Sequence, residues 1–148
     1  MSDISRTKIQ ELCIQLMYSF LIKEEAGIEI DFINAIEEAC DANYEDCDFY
    51  LKEVLINCLK HQDKIMSYVE GFLNKWKFSR LNEVIQAIFI VTISEYFLVE
   101  EKIDKAIAIN NAVSFAKKFG DGGEKDYKYV NAVLQNCLDD GNKKLLLS

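Results

Sequence analysis

Apolar residues recur every three or four positions along most of this chain, a spacing that predicts amphipathic helices rather than strands. The first helix follows Ser5, whose side chain is suited to cap free backbone N–H groups. A second helix is predicted to begin at Asp31, and a third follows an acidic stretch that suits the positive end of a helix dipole. The inward positions of these three helices are Ile9, Leu12, Cys13, Leu16, Met17 and Phe20, then Phe32, Ala35, Ile36, Ala39 and Cys40, then Leu51, Val54, Leu55, Cys58 and Leu59.

Four further helices follow in the second part of the chain. The fifth, predicted over 80–98 after a cap at Ser79, is apolar nearly all round and should therefore be buried on most sides. The sixth opens at Asp104 and ends at Gly120, and the seventh begins near Asp126. The fourth helix is predicted to direct inward Ile65, Met66, Val69, Phe72, Leu73 and Trp76.

Strand-like alternation is scarce, proline is absent and no repeat of fixed period is visible. The fold class predicted is therefore all-α, a compact bundle of about seven helices in a single domain over residues 1–148. Residues 41–48 are the least patterned and are predicted to form a loop. The tail over 141–148 carries no pattern of useful length and is predicted to fray.

The net charge of −8 is unevenly distributed. Residues 24–50 hold ten of the 25 acidic residues and none of the 17 lysines and arginines. The rest of the chain is therefore slightly basic, so an acidic total does not exclude a surface that binds nucleic acid.

The residues that catalysis or a cofactor would need are missing. The five cysteines contain no C-x-x-C pair, which indicates reduced thiols, and His61 is the only histidine. The glycines at 120–123 lack the G-K-[ST] of a phosphate loop, and residues 41–52 lack the glycine and glutamate of a calcium loop. No enzyme activity, metal or cofactor is predicted. The run from Val84 to Val99 is too short and too interrupted to span a bilayer, and no leader is visible, so a cytoplasmic protein without a membrane role is expected.

Positive charge accompanies aromatic or amide side chains in three places: the first helix, residues 75–80, and residues 117–129. Cationic groups neutralise phosphates, and exposed rings stack on unpaired bases, so this combination indicates a contact with single-stranded RNA. Ordinary lysine at helix ends and half-buried tyrosine would give the same composition, and composition alone leaves both interpretations open.

The order of motifs adds a resemblance. "FLNKWKFSRLNEV", "AINNAVSFAKKFG" and "YKYVNAVL" resemble, in that order, three motifs of the NusB family of bacterial transcription antitermination factors, and "TKIQELCIQLMYSF" resembles its weaker N-terminal motif. The resemblance covers nearly the whole chain. It implies two three-helix halves that share a long central helix. It also implies pairing with a small-subunit ribosomal protein, NusE, on a boxA-like element of nascent ribosomal RNA, within the antitermination complex of RNA polymerase.

The resemblance also implies site residues. RNA-binding positions are Arg6, Lys8, Gln15 and Tyr18 in the first helix and Lys125, Lys128 and Tyr129 near the start of the seventh; partner-binding positions are Tyr18, Ile85 and Glu95. The chain departs from the family pattern where Ile85, Gln86 and Ile90 replace an acid and two arginines. Asn110 and Asn131 match the family's "IN" and "VN" positions, and we hypothesise that their amides bind backbone groups across a helix crossing.

Two alternatives remain open. The chain could be a protein–protein scaffold of the same fold with little RNA affinity, in which the acidic residues 24–50 bind a basic partner. A related domain also occurs in RNA methyltransferases, but this sequence carries no cofactor-binding extension. The sequence does not distinguish a monomer from a homodimer.

Overall fold

The computed structural model describes residues 5–120 and 124–147, and helices account for most of them. No strand occurs in these ranges, in agreement with the predicted all-α class. The helices are α1 (Arg6–Glu25), α2 (Phe32–Cys40), α3 (Phe49–Lys60), α4 (Gln62–Glu70), α5 (Glu83–Ile93), α6 (Lys105–Phe119), α7 (Glu124–Cys137) and α8 (Lys143–Leu147).

Each of the first three helices follows a capping side chain, which confirms the predicted cap at Ser5 and the predicted start of the second helix at Asp31. The Ser5 hydroxyl accepts a hydrogen bond from the Lys8 N–H at 3.2 Å, and Asp31 accepts one from Asn34 N–H at 3.1 Å. Asp48 does the same for Leu51 N–H at 3.0 Å. Each side-chain oxygen satisfies a backbone donor that the first turn of a helix leaves unpaired.

Helix α5 is the centre of the bundle. Nine of its eleven residues are buried, which confirms the prediction from its all-round apolar sequence. It contacts α1, α3, α4, α6 and α7. A π-helical segment, Ser94–Leu98, extends it directly, so the central element covers nearly all of the predicted 80–98. None of the described helices is both long and apolar enough to cross a membrane.

The connection between α4 and α5 differs from the prediction. Helix α4 ends at Glu70, and Trp76 is 58% exposed rather than inward. After Glu70 the backbone N–H groups of residues 71–73 bond three residues back, and Asn74 and Lys75 then adopt left-handed angles, with φ of 48° and 76°, so the helical pattern does not reach Trp76. Ser79 lies in a 3₁₀ turn and is not the cap of α5.

The cap of α5 is Asn82, whose Oδ1 accepts a hydrogen bond from the Ile85 N–H at 2.9 Å. Asparagine is among the best N-cap residues, and here it lies in extended backbone next to the first helical turn. Both Ser79 and Asn82 are suitable capping residues by type, so type alone does not fix the position at which the helix starts.

Gly120 ends α6 as predicted, but in extended backbone rather than the left-handed conformation typical of such glycines. A Cβ at this position would lie 2.6 Å from the Ala116 carbonyl oxygen. Glycine is therefore required here, because any side chain would come too close to the last turn of α6. The tail predicted to fray instead contains α8, whose Leu146 is buried where α8 contacts α4.

Candidate nucleic-acid interface

The N-terminal basic segment divides between two sides of α1. At about 100° per residue, Arg6 and Lys8 point about 160° apart around the helix axis, whereas Gln15 lies within about 20° of Lys8 and Tyr18 within about 80°. Lys8, Gln15 and Tyr18 are all exposed, Tyr18 by 40%. The structure therefore keeps three of the four predicted RNA-binding residues of α1 on one flank and separates Arg6 from them.

Arg6 is held by side chains on the other flank. Its guanidinium carbon lies 3.6 Å from the centre of the Tyr50 ring, and Nη2 forms an ion pair with Glu101 Oε1 at 2.6 Å. The side chain is only 37% exposed, and within the described residues Nη1 is buried without a hydrogen-bond partner. In this conformation a phosphate would compete with Glu101 for the guanidinium.

Helix α6 lies beside the flank of α1 that carries Lys8. The Thr7 hydroxyl donates to Asn111 Oδ1 at 3.4 Å, and Lys118 Nζ lies 4.0 Å from Glu11 Oε1. Glu11 lies one turn from Lys8 on this flank, and Thr7 lies one turn from Glu11. These contacts bring the last turn of α6, with its lysines, next to the predicted RNA-binding flank of α1.

The joint from α6 to α7 continues this surface. Lys117 Nζ lies 4.7 Å from the centre of the Tyr127 ring, which connects the last turn of α6 to the first turns of α7. Lys125 and Lys128 are both exposed on α7. Residues 121–123, which include two of the glycines between the helices, lie outside the described residues.

Tyr129 lies at the boundary between this surface and the core. Its ring packs against Phe89 of α5 with centroids 6.5 Å apart and a tilt of 65°. Burial raises the pKa of the Tyr129 hydroxyl, which has no hydrogen-bond partner in the described part of the chain. The ring is half-buried, so only part of it is available to stack on a base.

Two of the three predicted partner-binding residues are buried. Ile85 is 3% exposed and Glu95 is 0% exposed, so neither side chain offers surface to another protein in this structure. The reason is their position in α5 and its π-helical extension, which other helices surround. Tyr18 alone among the three is accessible.

Glu95 belongs to a buried polar cluster. The Tyr50 hydroxyl donates a hydrogen bond to Glu95 Oε2 at 2.8 Å, and the Tyr50 ring also contacts Arg6. Burial raises the pKa of Glu95 to about 8, against smaller lowering effects of the Tyr50 hydrogen bond and the Arg6 charge. At neutral pH this carboxyl is therefore largely protonated and contributes little negative charge to the surface.

The hypothesis for Asn110 and Asn131 is wrong. Both residues are exposed, and Asn131 Oδ1 accepts a hydrogen bond from Gln135 on the same helix at 3.2 Å. The asparagine that contacts another helix is Asn111, through Thr7. The sequence does not single out Lys117, Lys118 or Asn111 as site residues, although both lysines stand in the basic segment 117–129.

The surface defined by Lys8, Lys117, Lys118, Lys125 and Lys128, which we call the lysine surface, can neutralise phosphates. Two carboxylates, those of Glu11 and Asp126, lie within it and reduce its net charge. In the described ranges no group of three or more histidine, cysteine or acidic side chains is arranged to hold a metal.

Comparison with known proteins shows which family this chain resembles in sequence. A sequence model of the NusB family matches residues 7–139. The chain is 31% identical to the transcription antitermination protein NusB of Ligilactobacillus salivarius, covering 92% of this chain and 99% of that one. It is 30% identical to the protein of the same name from Methylacidiphilum infernorum, covering 98% of each.

A solved structure agrees on the fold. T. maritima NusB superposes with a TM-score of 0.76 at 20% identity, over 94% of each chain. The helical architecture, the family match and the two relatives lead to one conclusion: this chain belongs to the NusB family of non-enzymatic transcription antitermination factors.

Proposed function

We propose that the chain is an RNA-binding antitermination factor that acts together with a small-subunit ribosomal protein of the NusE type. In this proposal the two proteins bind a boxA-like element in nascent ribosomal RNA and enter the antitermination complex on RNA polymerase. The names of the relatives support a role in transcription antitermination. The RNA and the partner are inferred from the surface and from the family resemblance.

The contact between α1 and α6 is the observation that carries the RNA part. Through Thr7–Asn111 and Glu11–Lys118, two regions more than a hundred residues apart in sequence become one cationic surface. Lysines on such a surface act as mobile point charges, which suits the irregular backbone of a single strand. The polar and aromatic side chains beside them, Gln15 and Tyr18, could contact bases.

The partner is proposed to dock on the same flank of α1, at Tyr18. This residue and Ile22, one turn further along, are both exposed. Together they form a small apolar area beside the lysine surface. A partner bound there would lie next to the RNA, so protein and RNA could strengthen each other's binding.

Binding measurements on the full chain test the proposal. BoxA-like and scrambled RNA would be titrated at several salt concentrations, with and without the ribosomal protein. Lys8→Ala and Lys128→Ala should each weaken binding about threefold or more and reduce the salt slope by about 0.7, the value expected for one lost phosphate contact on a single strand. Lys60→Ala, an exposed lysine at the end of α3, is the matched control and should change neither quantity.

Arg6→Ala tests whether Arg6 contacts RNA as Lys8 does or is withheld from it by its own contacts. Because Arg6 is engaged by Glu101 and Tyr50, its loss should reduce the salt slope less than the loss of Lys8. Equal effects of Lys8→Ala and Lys60→Ala, or binding that is insensitive to salt, would contradict the RNA role.

The scaffold remains the second candidate. Within the acidic segment 24–50, Ile28 and Ile33 are exposed, a combination of negative charge and apolar surface that fits a basic protein partner. No RNA binding under any condition, together with salt-sensitive binding of the ribosomal protein, would favour this alternative.

A further inference from the structure

A second cationic surface lies at the joint between α4 and α5. Lys75, Trp76, Lys77 and Arg80 line a depression of 440 Å³. All four side chains are exposed, and no carboxylate is among the residues that line it. The ion pairs found among the described residues, Arg6–Glu101 and Lys118–Glu11, involve none of these three cations.

The structure holds Trp76 in an outward position. Leu73 and Phe78 are buried on either side of it along the chain and anchor the joint to the core. The Phe78 N–H donates to Glu70 Oε1 at 2.6 Å, and the Trp76 N–H donates to the Leu73 carbonyl at 3.2 Å. These anchors fix the backbone on both sides of Trp76, and its side chain is left exposed.

This arrangement does not favour the folded state. The left-handed backbone of Lys75 is unfavourable for a long side chain, and most of the indole of Trp76 is left in water instead of being buried. Backbone strain of this kind is common at binding sites, where the surrounding structure maintains it. Here it places an aromatic face between two lysines.

We propose that residues 75–80 form a nucleotide-binding site for single-stranded nucleic acid. Trp76 stacks on one base, while Lys75, Lys77 and Arg80 contact the phosphates on either side of it. An exposed indole flanked by cations matches a strand whose bases and phosphates alternate, and an acidic peptide would leave the aromatic face unused.

This site is separate from the lysine surface. Helices α1 and α5 are antiparallel, because Arg6 pairs with Glu101 beyond the end of α5 while Glu25 meets Glu83 at its start. The proposed site leads directly into that start, whereas Lys8 and Glu11, on the α1 side of the lysine surface, lie about 20–25 Å from Glu25 along α1. The inference therefore does not depend on whether the lysine surface binds RNA.

Trp76 is the only tryptophan in the chain, so its fluorescence reports this site alone. Titration of the full chain with a twelve-nucleotide oligoadenylate should quench the fluorescence in a saturable manner, and added salt should weaken the effect. The double variant Lys77→Ala, Arg80→Ala should bind at least about fivefold more weakly. Both side chains are exposed, and circular dichroism would verify that the variant remains folded.

Two controls make the result specific. Lys60→Ala, at an exposed lysine at the end of α3 outside both surfaces, should leave the quenching curve unchanged, and oligoglutamate of matched charge should not quench. Absence of quenching, equal quenching by oligoglutamate, or a double variant that behaves as wild type would each overturn the proposal. Loss of quenching in Lys60→Ala would show that the effect follows total charge and not this site, which also overturns the proposal.

Discussion

Substitution of Glu95 by glutamine should remove a large pH dependence from the stability of this protein. Glu95 is fully buried, and one carboxyl oxygen accepts a hydrogen bond from Tyr50 at 2.8 Å. The other oxygen has no hydrogen-bond partner among the residues that the structure describes. Glutamine keeps the size and shape of the side chain but cannot ionise.

The magnitude follows from the pKa of Glu95. In the unfolded chain the carboxyl has a pKa near 4.5, and in the folded protein burial raises it to about 8. Between these values the folded protein retains a proton that the unfolded chain has released, so the free energy of unfolding falls as the pH rises. The slope is about 1.4 kcal/mol per pH unit, which amounts to roughly 4 kcal/mol over three units.

Urea unfolding at pH 5, 6, 7 and 8, followed by circular dichroism, measures this effect. The quantity of interest is the difference in unfolding free energy between wild type and Glu95→Gln, because contributions from other titrating groups cancel in it. The variant should gain stability relative to wild type with each step towards alkaline pH. The difference should become constant only about one unit above the pKa of about 8, beyond this pH series, because Glu95 is then ionised in both states.

Glu45→Gln is the matched control, because Glu45 is an exposed carboxyl in the acidic segment. Its difference from wild type should vary little over the same pH range. If the curves for wild type and Glu95→Gln ran parallel between pH 5 and 8, Glu95 would not be protonated in the folded protein. The account of the cluster formed by Glu95, Tyr50 and Arg6 would then be wrong.

Two further predictions concern single contacts. Gly120→Ala should lower the free energy of unfolding by about 1–3 kcal/mol, because the new methyl group would meet the Ala116 carbonyl oxygen at 2.6 Å. Thermal unfolding measures this loss. Gly71→Ala, with its nearest contact at 3.3 Å, is the control and should lose less. Asn131→Ala should change the unfolding free energy by less than about 0.5 kcal/mol, because the side chain is exposed and, among the described residues, its hydrogen bond is to Gln135 of the same helix. A larger loss in urea unfolding would restore a structural role for this asparagine.

Local signals were sufficient to predict most of the helices. Ser5, the predicted cap, and Asp31, the predicted start of the second helix, each accept a hydrogen bond from the first turn. The acidic stretch before the third helix contains Asp48, which caps that helix in the same way. The burial of α5 followed equally from its composition. These features depend on neighbours along the chain, which the sequence displays directly.

The predictions failed at positions whose structure depends on contacts between residues that are distant in sequence. Trp76 fits the apolar pattern of α4, but left-handed backbone at Asn74 and Lys75 ends that pattern before it reaches the indole. Asn131 is on the exposed side of α7, while the residue next to Asn110 makes the contact with α1. Neither outcome can be obtained from residue types without the packing of the helices.

The division of the N-terminal basic segment has a consequence for how this family's motifs are interpreted. Arg6 and Lys8 are two positions apart, and a helix directs such residues to opposite sides, so one surface cannot use both. Arg6 lies against Tyr50 and Glu101, where its charge also partly stabilises ionised Glu95. Lys8 lies beside Gln15 and faces solvent next to α6. We therefore infer that Arg6 serves chiefly to hold the end of α1 on the core, and that phosphate contacts fall to the lysines across α1, α6 and α7.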